Sequence, residues 1–181
     1  MKFLKSHGGA IVITVLVVVL SVVFGFHRSA TAARADVEAA FYQGADGSGY
    51  SIAADLTTRR NVCSNLAAVG ARYLGEGELS ALASALSDPR WQGGPAAQYD
   101  ANLDLGAAAE AVLLALEDAG LSGQDAKYVQ GFRADLDAKA DTISRDGYNA
   151  LVDAFNTKVL GVFPANFLRH IAFVRGAEAF R

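Results

Sequence analysis

One cysteine, three prolines and three histidines are all that this sequence carries of those residue types, and each shortage removes a class of protein. With Cys63 alone there is neither an internal disulfide nor a thiolate metal site, and its apolar helical neighbours mark it as small core packing. His7, His27 and His170 are scattered and fit no ligand spacing, so no metal is expected. Cationic charge is short as well: 16 Lys and Arg face 19 Asp and Glu, and Arg59-Arg60 is the only adjacent basic pair, which excludes a nucleic-acid footprint. The sequence contains no nucleophile elbow, no phosphate loop and no histidine-glutamate zinc motif. The expectation is therefore a protein with no enzymatic activity and no cofactor. What is present is apolar and helical: 52% of the 181 residues are hydrophobic, enough for one domain plus an anchor, and the few prolines leave long helices unbroken.

From Ala10 to Phe26 the chain runs 17 residues without a charge, and Gly8 and Gly9 extend the stretch to 19. That is close to the roughly 20 residues a helix needs to cross a bilayer core. The valines in it do not argue against helix, because in lipid every backbone group must be bonded within the segment. The expected organisation is a short cytoplasmic N-terminus (1–7), a transmembrane anchor (8–28) and a helical domain (29–181). A cleaved secretory signal is the competing reading, since Ala30-Thr31-Ala32 and Ala33-Arg34-Ala35 both have the small-x-small pattern of a cleavage site. The apolar run exceeds the usual signal core of about 7–15 residues, and His27-Arg28 separates it from either site. Lys2, Lys5 and the amino terminus outweigh Arg28 and Arg34 by about one charge, which places the domain outside the cytoplasm. The nine residues ahead of the run leave no room for a cytoplasmic output domain.

Beyond Arg28 the chain carries 13 basic and 19 acidic residues. Helix is expected to continue to Gly44, followed by a glycine-rich turn, Gly44 to Ser51. A second helix is expected from about Ile52 towards Ser87, with Val62, Leu66, Val69 and Tyr73 on one face and a kink or short break at Gly75-Glu76-Gly77. After the loop Asp88 to Pro95, a third helix from about Ala96 to Ala119 aligns Leu105, Ala109, Val112, Leu113 and Leu116. Ser122 with Asp125 resembles a capping box that opens a fourth helix running to about Leu160. Such stripes can be buried only against one another, so the predicted fold is all-α: an N-terminal transmembrane helix plus an elongated, coiled-coil-like antiparallel up-down bundle of three to four long helices. Alternating direction would return the C-terminus towards the bilayer.

Three polar groupings invite chemistry. Asp46, Ser48, Tyr50 and Asp55 echo positions 3, 5, 7 and 12 of a calcium loop, with Gly49 at its sharp turn, but Gly44 stands where the first ligand belongs and Asp55 where a longer glutamate does. A plain turn is expected. Asp135, Asp137 and Asp141 are interleaved with Arg133, Lys139 and Arg145 at helical spacing, the pattern of surface ion pairs along one helix. Asn149 and Asn156, seven residues apart, are expected to share a face and hydrogen-bond the second helix, where they would fix register.

The C-terminal stretch also resembles the LemA family of bacterial single-pass membrane proteins. Tyr148-Asn149, Val152, Phe155-Asn156-Thr157 and Phe163-Pro164-Ala165-Asn166 are similar to that family's YN, V, YN or FN and FPxN signature. Arg59-Arg60 followed by Asn65-Leu66 is similar to its paired arginine and N-L-V segment, and Phe41 stands where the family often has Trp. The glycine turn at Gly44 to Ser51, Ser64 in place of a proline and the glycine interruption of the second helix depart from the pattern. The resemblance implies a membrane-anchored helical bundle without established enzymatic activity. Its family-motif residues here are Arg59, Arg60, Asn65, Tyr148, Asn149, Asn156, Phe163, Pro164 and Asn166.

The functional expectation is a structural scaffold or protein-interaction module of the cell envelope, with the lipid bilayer, other envelope proteins or a second copy of itself as partners and no nucleic acid. An extracytoplasmic ligand-sensing bundle working through a membrane partner is the alternative, and a hydrolase a third. The tail from Phe163 to Phe180 is apolar and aromatic with Arg169, Arg175 and Arg181 interleaved. It either packs back on the bundle or lies at the membrane surface.

Overall fold

No proline interrupts the chain between the apolar run and Gly44, and a single helix results: α1, His7–Gln43, 37 residues. The protein was analysed as a computed structural model that describes residues 7–44 and 50–181. Lys2 and Lys5, and Asp46, Ser48 and Gly49 of the calcium-loop echo, lie outside the described residues. Gly44 ends α1 at φ 83, a left-handed position that glycine takes without steric cost. Only 6% of the most apolar 18-residue window of α1 is buried, and Leu16, Leu20 and Phe24 stand more than half exposed. A core helix of a water-soluble domain would be mostly covered. α1 is thus long and apolar enough to cross a membrane, and it does not use that surface inside the protein.

The remaining elements are α2 (Ile52–Gly70), α3 (Glu76–Leu86), a 3-10 turn (Pro89–Gln92), α4 (Pro95–Glu117), α5 (Gly123–Arg145), α6 (Tyr148–Ala154), a π-helical turn (Phe155–Val159) and α7 (Ala165–Ile171). Among the described residues there is no strand, and the fold is all-α. The chain divides into two compact units, one formed by the residues up to Glu38 with Ala150–Ala177, the other by Ala39–Asn149 with Glu178–Arg181.

The second unit holds the bundle. The guanidinium of Arg60 reaches Leu86 O at 3.4 Å, while Gly70 lies against Leu79, so α2 and α3 run antiparallel. The expected kink at Gly75 is thus a full reversal, made by the turn after Gly70 and capped where the Glu78 carboxylate accepts from Gly75 N–H at 2.8 Å. α4 runs parallel to α2, since Arg59 meets Gly106 and Gly70 meets Val112. α5 is antiparallel to α2: Lys139 pairs with Asp55, Arg59 with Leu136, and Tyr73 with Asp125. The order α2-α3-α4-α5 is therefore up-down-up-down. Its interior is Cys63, Leu66, Leu82, Leu105, Val112, Leu113 and Leu116, all essentially inaccessible. Each leucine there contributes about 1.5–3 kcal/mol of burial.

Two further expectations are corrected. The fourth helix does not reach Leu160 unbroken: it stops at Arg145, where Asp146 turns to ψ 139 and its carboxylate accepts from Tyr148 N–H at 2.7 Å. Nor do the cations of α5 mainly pair along their own helix. Arg145 meets Asp141, but Arg133 reaches Glu110 and Glu117 on α4, and Lys139 reaches Asp55 on α2. That pairing also commits Asp55, the proposed last ligand of the calcium loop, to a cross-helix ion pair at 2.7 Å.

Candidate functional site

The chemistry-bearing residues of the C-terminal motif act on the chain's own backbone. Within the bundle unit, Asn149 donates from Nδ2 to Phe180 O at 2.9 Å and accepts from Phe180 N–H at Oδ1 at 2.8 Å. One side-chain amide thus pairs with both polar groups of one residue, as a neighbouring strand would. The Tyr148 hydroxyl donates to Glu178 O at 2.6 Å. Phe180 is seated in an aromatic cluster with Phe41 at 5.7 Å and Tyr99 at 5.2 Å between ring centres, and Phe41 meets Tyr148 at 5.4 Å. Phe41 and Tyr148 are fully buried. Such ring pairs add about 0.5–1.5 kcal/mol each beyond the area they cover.

Within the other unit Asn156 repeats the device on Ala177, donating to its carbonyl and accepting from its N–H, both at 2.9 Å. Asn156 lies in the π-helical turn, a rare local geometry that re-aims side chains. Gly176 permits the approach, for a Cβ there would stand 2.6 Å from Asn156 Oδ1. The expectation that Asn149 and Asn156 bond the second helix is overturned: both recognise the tail's main chain. In the same unit His27, the first residue beyond the apolar run of α1, donates from Nδ1 to Ala172 O at 2.7 Å.

The remaining motif residues do not gather in one place. Arg59 is buried in the bundle, with Nη1 donating to Leu136 O at 2.8 Å and Nε without a hydrogen-bond partner among the described residues. Burial lowers its pKa, opposed by Cys63 and Asp137. It lines a cavity of about 100 Å³ with Glu110, Arg133 and Asp137, room for a few waters. Burial also pushes the Cys63 thiol up to about 11, the neighbouring Arg59 opposing it, so this is an inert core thiol. Arg60 lies over the Trp91 ring at 5.0 Å, and the indole donates to Ala85 O at 2.8 Å. Asn65 and Asn166 are exposed, as are Phe163 and Pro164, which are joined by a cis peptide bond.

Sequence reasoning missed the anchored carboxylate of Asp125. The Tyr73 hydroxyl donates to it at 2.6 Å, Ser122 at 3.1 Å and Arg72 at 2.9 Å. These bonds, Tyr73's foremost, hold Asp125 below the usual carboxylate range against the effect of burial. The Ser122–Asp125 cap was visible in the sequence; its cross-helix partners were not. Among the described residues no three His, Cys, Asp or Glu side chains converge as a metal site would require. No protein-family model, curated protein or solved structure matches the chain.

Proposed function

We propose that this chain is a membrane-tethered, non-enzymatic helical module of the LemA type, held by α1 in the bacterial cell membrane as a single-pass protein. Its bundle lies outside the cytoplasm and serves as a scaffold or protein-interaction body of the cell envelope. The observation that carries the reading is the exposed apolar surface of α1, with only 6% of its most apolar window buried. A helix of that composition needs lipid, or it would aggregate in water. Tyr148, Asn149 and Asn156 of the LemA-like motif support a structural reading, because each bonds the protein's own backbone.

The test is extraction of native membranes at alkaline pH followed by intact-mass measurement. The full-length chain should stay in the pellet, whereas recovery of a soluble chain beginning after Ala32 or Ala35 would show a cleaved signal. Because Cys63 is buried, a cysteine introduced at exposed Lys127 reports orientation by itself. It should react with an impermeant maleimide on intact cells; reaction only after lysis would reverse the topology. Crosslinking in native membranes with mass spectrometry should then recover a reproducible set of envelope partners.

Ligand sensing through a membrane partner is the second reading. It is favoured by a depression of about 370 Å³ at one end of α4 and α5, lined by Leu116, Leu121, Ala126 and Val129. That volume lies within the range of small-molecule sites.

A further inference from the structure

The apolar run of α1 ends at Phe26, and the residue that follows is tied to the C-terminal segment by the His27–Ala172 hydrogen bond. Ala172 itself is buried, but several large apolar side chains near it in the chain are uncovered. Phe163 is 83% exposed, Phe167 61%, Ile171 46% and Phe173 87%. Single exposed apolar residues are ordinary; four within eleven positions, three of them phenylalanine, are not. Phe167 and Ile171 are four residues apart in α7 and so share a face.

Phe173 carries a second signal. It sits at φ 55, the left-handed region, where the Val174 N–H reaches back to Arg169 O at 2.9 Å to close α7. Helices that end this way place glycine at that position, and a bulky residue there is strained. A strained phenylalanine whose ring is almost wholly uncovered gains nothing from the protein around it, so the ring's partner lies outside the chain.

Depth identifies that partner. The 17 residues from Ala10 to Phe26 rise about 25 Å as a helix, a few ångströms less than the ~30 Å hydrocarbon core, and headgroup layers of several ångströms lie beyond it. The level of His27 and Ala172 therefore coincides with the membrane boundary, within a side-chain length of both. Charge agrees: from Val159 to Arg181 the only acid is Glu178, while Arg169, His170, Arg175 and Arg181 are basic. Such a segment suits lipid phosphates.

We propose that α7 and its flanks form a second membrane contact, with Phe167, Ile171 and Phe173 entering the interfacial layer of the leaflet from which α1 emerges. The proposal rests on the reading of α1 as a retained span. The sequence offered packing inward and lying on the membrane as alternatives for the tail; on this reading it does both, with Val174, Ala177 and Phe180 turned in and the α7 aromatics turned out.

The test uses the full chain reconstituted in phosphatidylcholine vesicles containing phosphatidylglycerol, with acyl chains brominated close to the headgroup. Phe24→Trp reports the anchor, and Phe173→Trp and Phe167→Trp report α7, against the constant background of buried Trp91. The emission added at 24, 167 and 173 should fall at least about twofold relative to unbrominated vesicles, as for rings within the acyl-headgroup boundary. Quenching at 24 but at neither 167 nor 173 would overturn the second contact and leave the anchor standing. No quenching at 24 would overturn the anchor reading and this one with it. A blue shift at 173 without quenching, together with crosslinked pairs of chains, would assign the face to a second copy instead and overturn the lipid assignment.

Discussion

Asn149 and Asn156 recognise backbone and not side chains, so their value lies in having one donor and one acceptor on the same amide. Asn149→Asp keeps the acceptor and loses the donor, setting a carboxylate oxygen against Phe180 O. Loss of one such bond with its partner left unpaired costs about 1–3 kcal/mol at neutral pH. Because only the protonated acid can donate to Phe180 O, the folded pKa of the new carboxyl is raised. The stability deficit should therefore shrink as pH falls through that raised value, and thermal melts at pH 7 and pH 4 should show the variant approaching wild type on acidification. Asp125 has the opposite sign. Its pKa is depressed by Tyr73, Ser122 and Arg72, so its contribution is present above the ordinary carboxylate value of about 4 and is lost as pH falls below it. Asp125→Asn should lower the midpoint at pH 7 and flatten the acid limb of a stability-versus-pH curve; an unchanged limb would mean that other carboxylates control it.

Among the elements, the apolar run of α1 was legible from its uncharged length, and the stripes of α2 and α4 because burial against one surface imposes a periodicity that residue types record. The end of α5 was not. Leu136, Ile143, Leu151 and Phe155 continue the helical spacing across Asp146-Gly147, and the break is made by the Asp146 carboxylate bonding Tyr148 N–H, a local competition that spacing does not register. Asp146→Ala should accordingly cost about 1 kcal/mol. Gly147→Ala should be neutral or stabilising by up to about 1 kcal/mol, since Gly147 has neither a left-handed φ nor a neighbour that a Cβ would meet. Chemical unfolding of the two variants separates these causes, and a larger loss in the glycine variant would assign the break to flexibility. The reversal at Gly75 was underestimated for a related reason: Leu79 and Leu82 resume the apolar stripe after the turn, because α3 buries its own face on α4 as well as α2. The tail's apolar, aromatic composition offered inward packing as one of two readings, but the hydrogen bonds that hold it left no pattern. Two amides grip main-chain groups that every residue shares, so nothing at Ala177 or Phe180 announces the contact, although Tyr148-Asn149 and Phe155-Asn156 did single out the gripping side.

For the molecule as a whole, the last four residues are part of the bundle unit and not a loose end. Deleting 178–181 removes the Phe180 ring from between Phe41 and Tyr99 along with both bonds of Asn149. The loss should be about 3–5 kcal/mol, read as a lowered unfolding midpoint of the full chain in mild detergent; an unchanged midpoint would demote the aromatic cluster to ornament. The other unit joins α1 up to Glu38 with Ala150–Ala177, segments about 110 residues apart. Synthesis at ~5–20 residues per second separates their appearance by roughly 6–22 s. During that interval Ala30 of α1, later buried, has not yet met the segment of its own chain that completes its unit. The N-terminal helix must therefore be received by the insertion machinery or the bilayer well before the segment that completes its unit exists, and its folding is finished from the far end of the message.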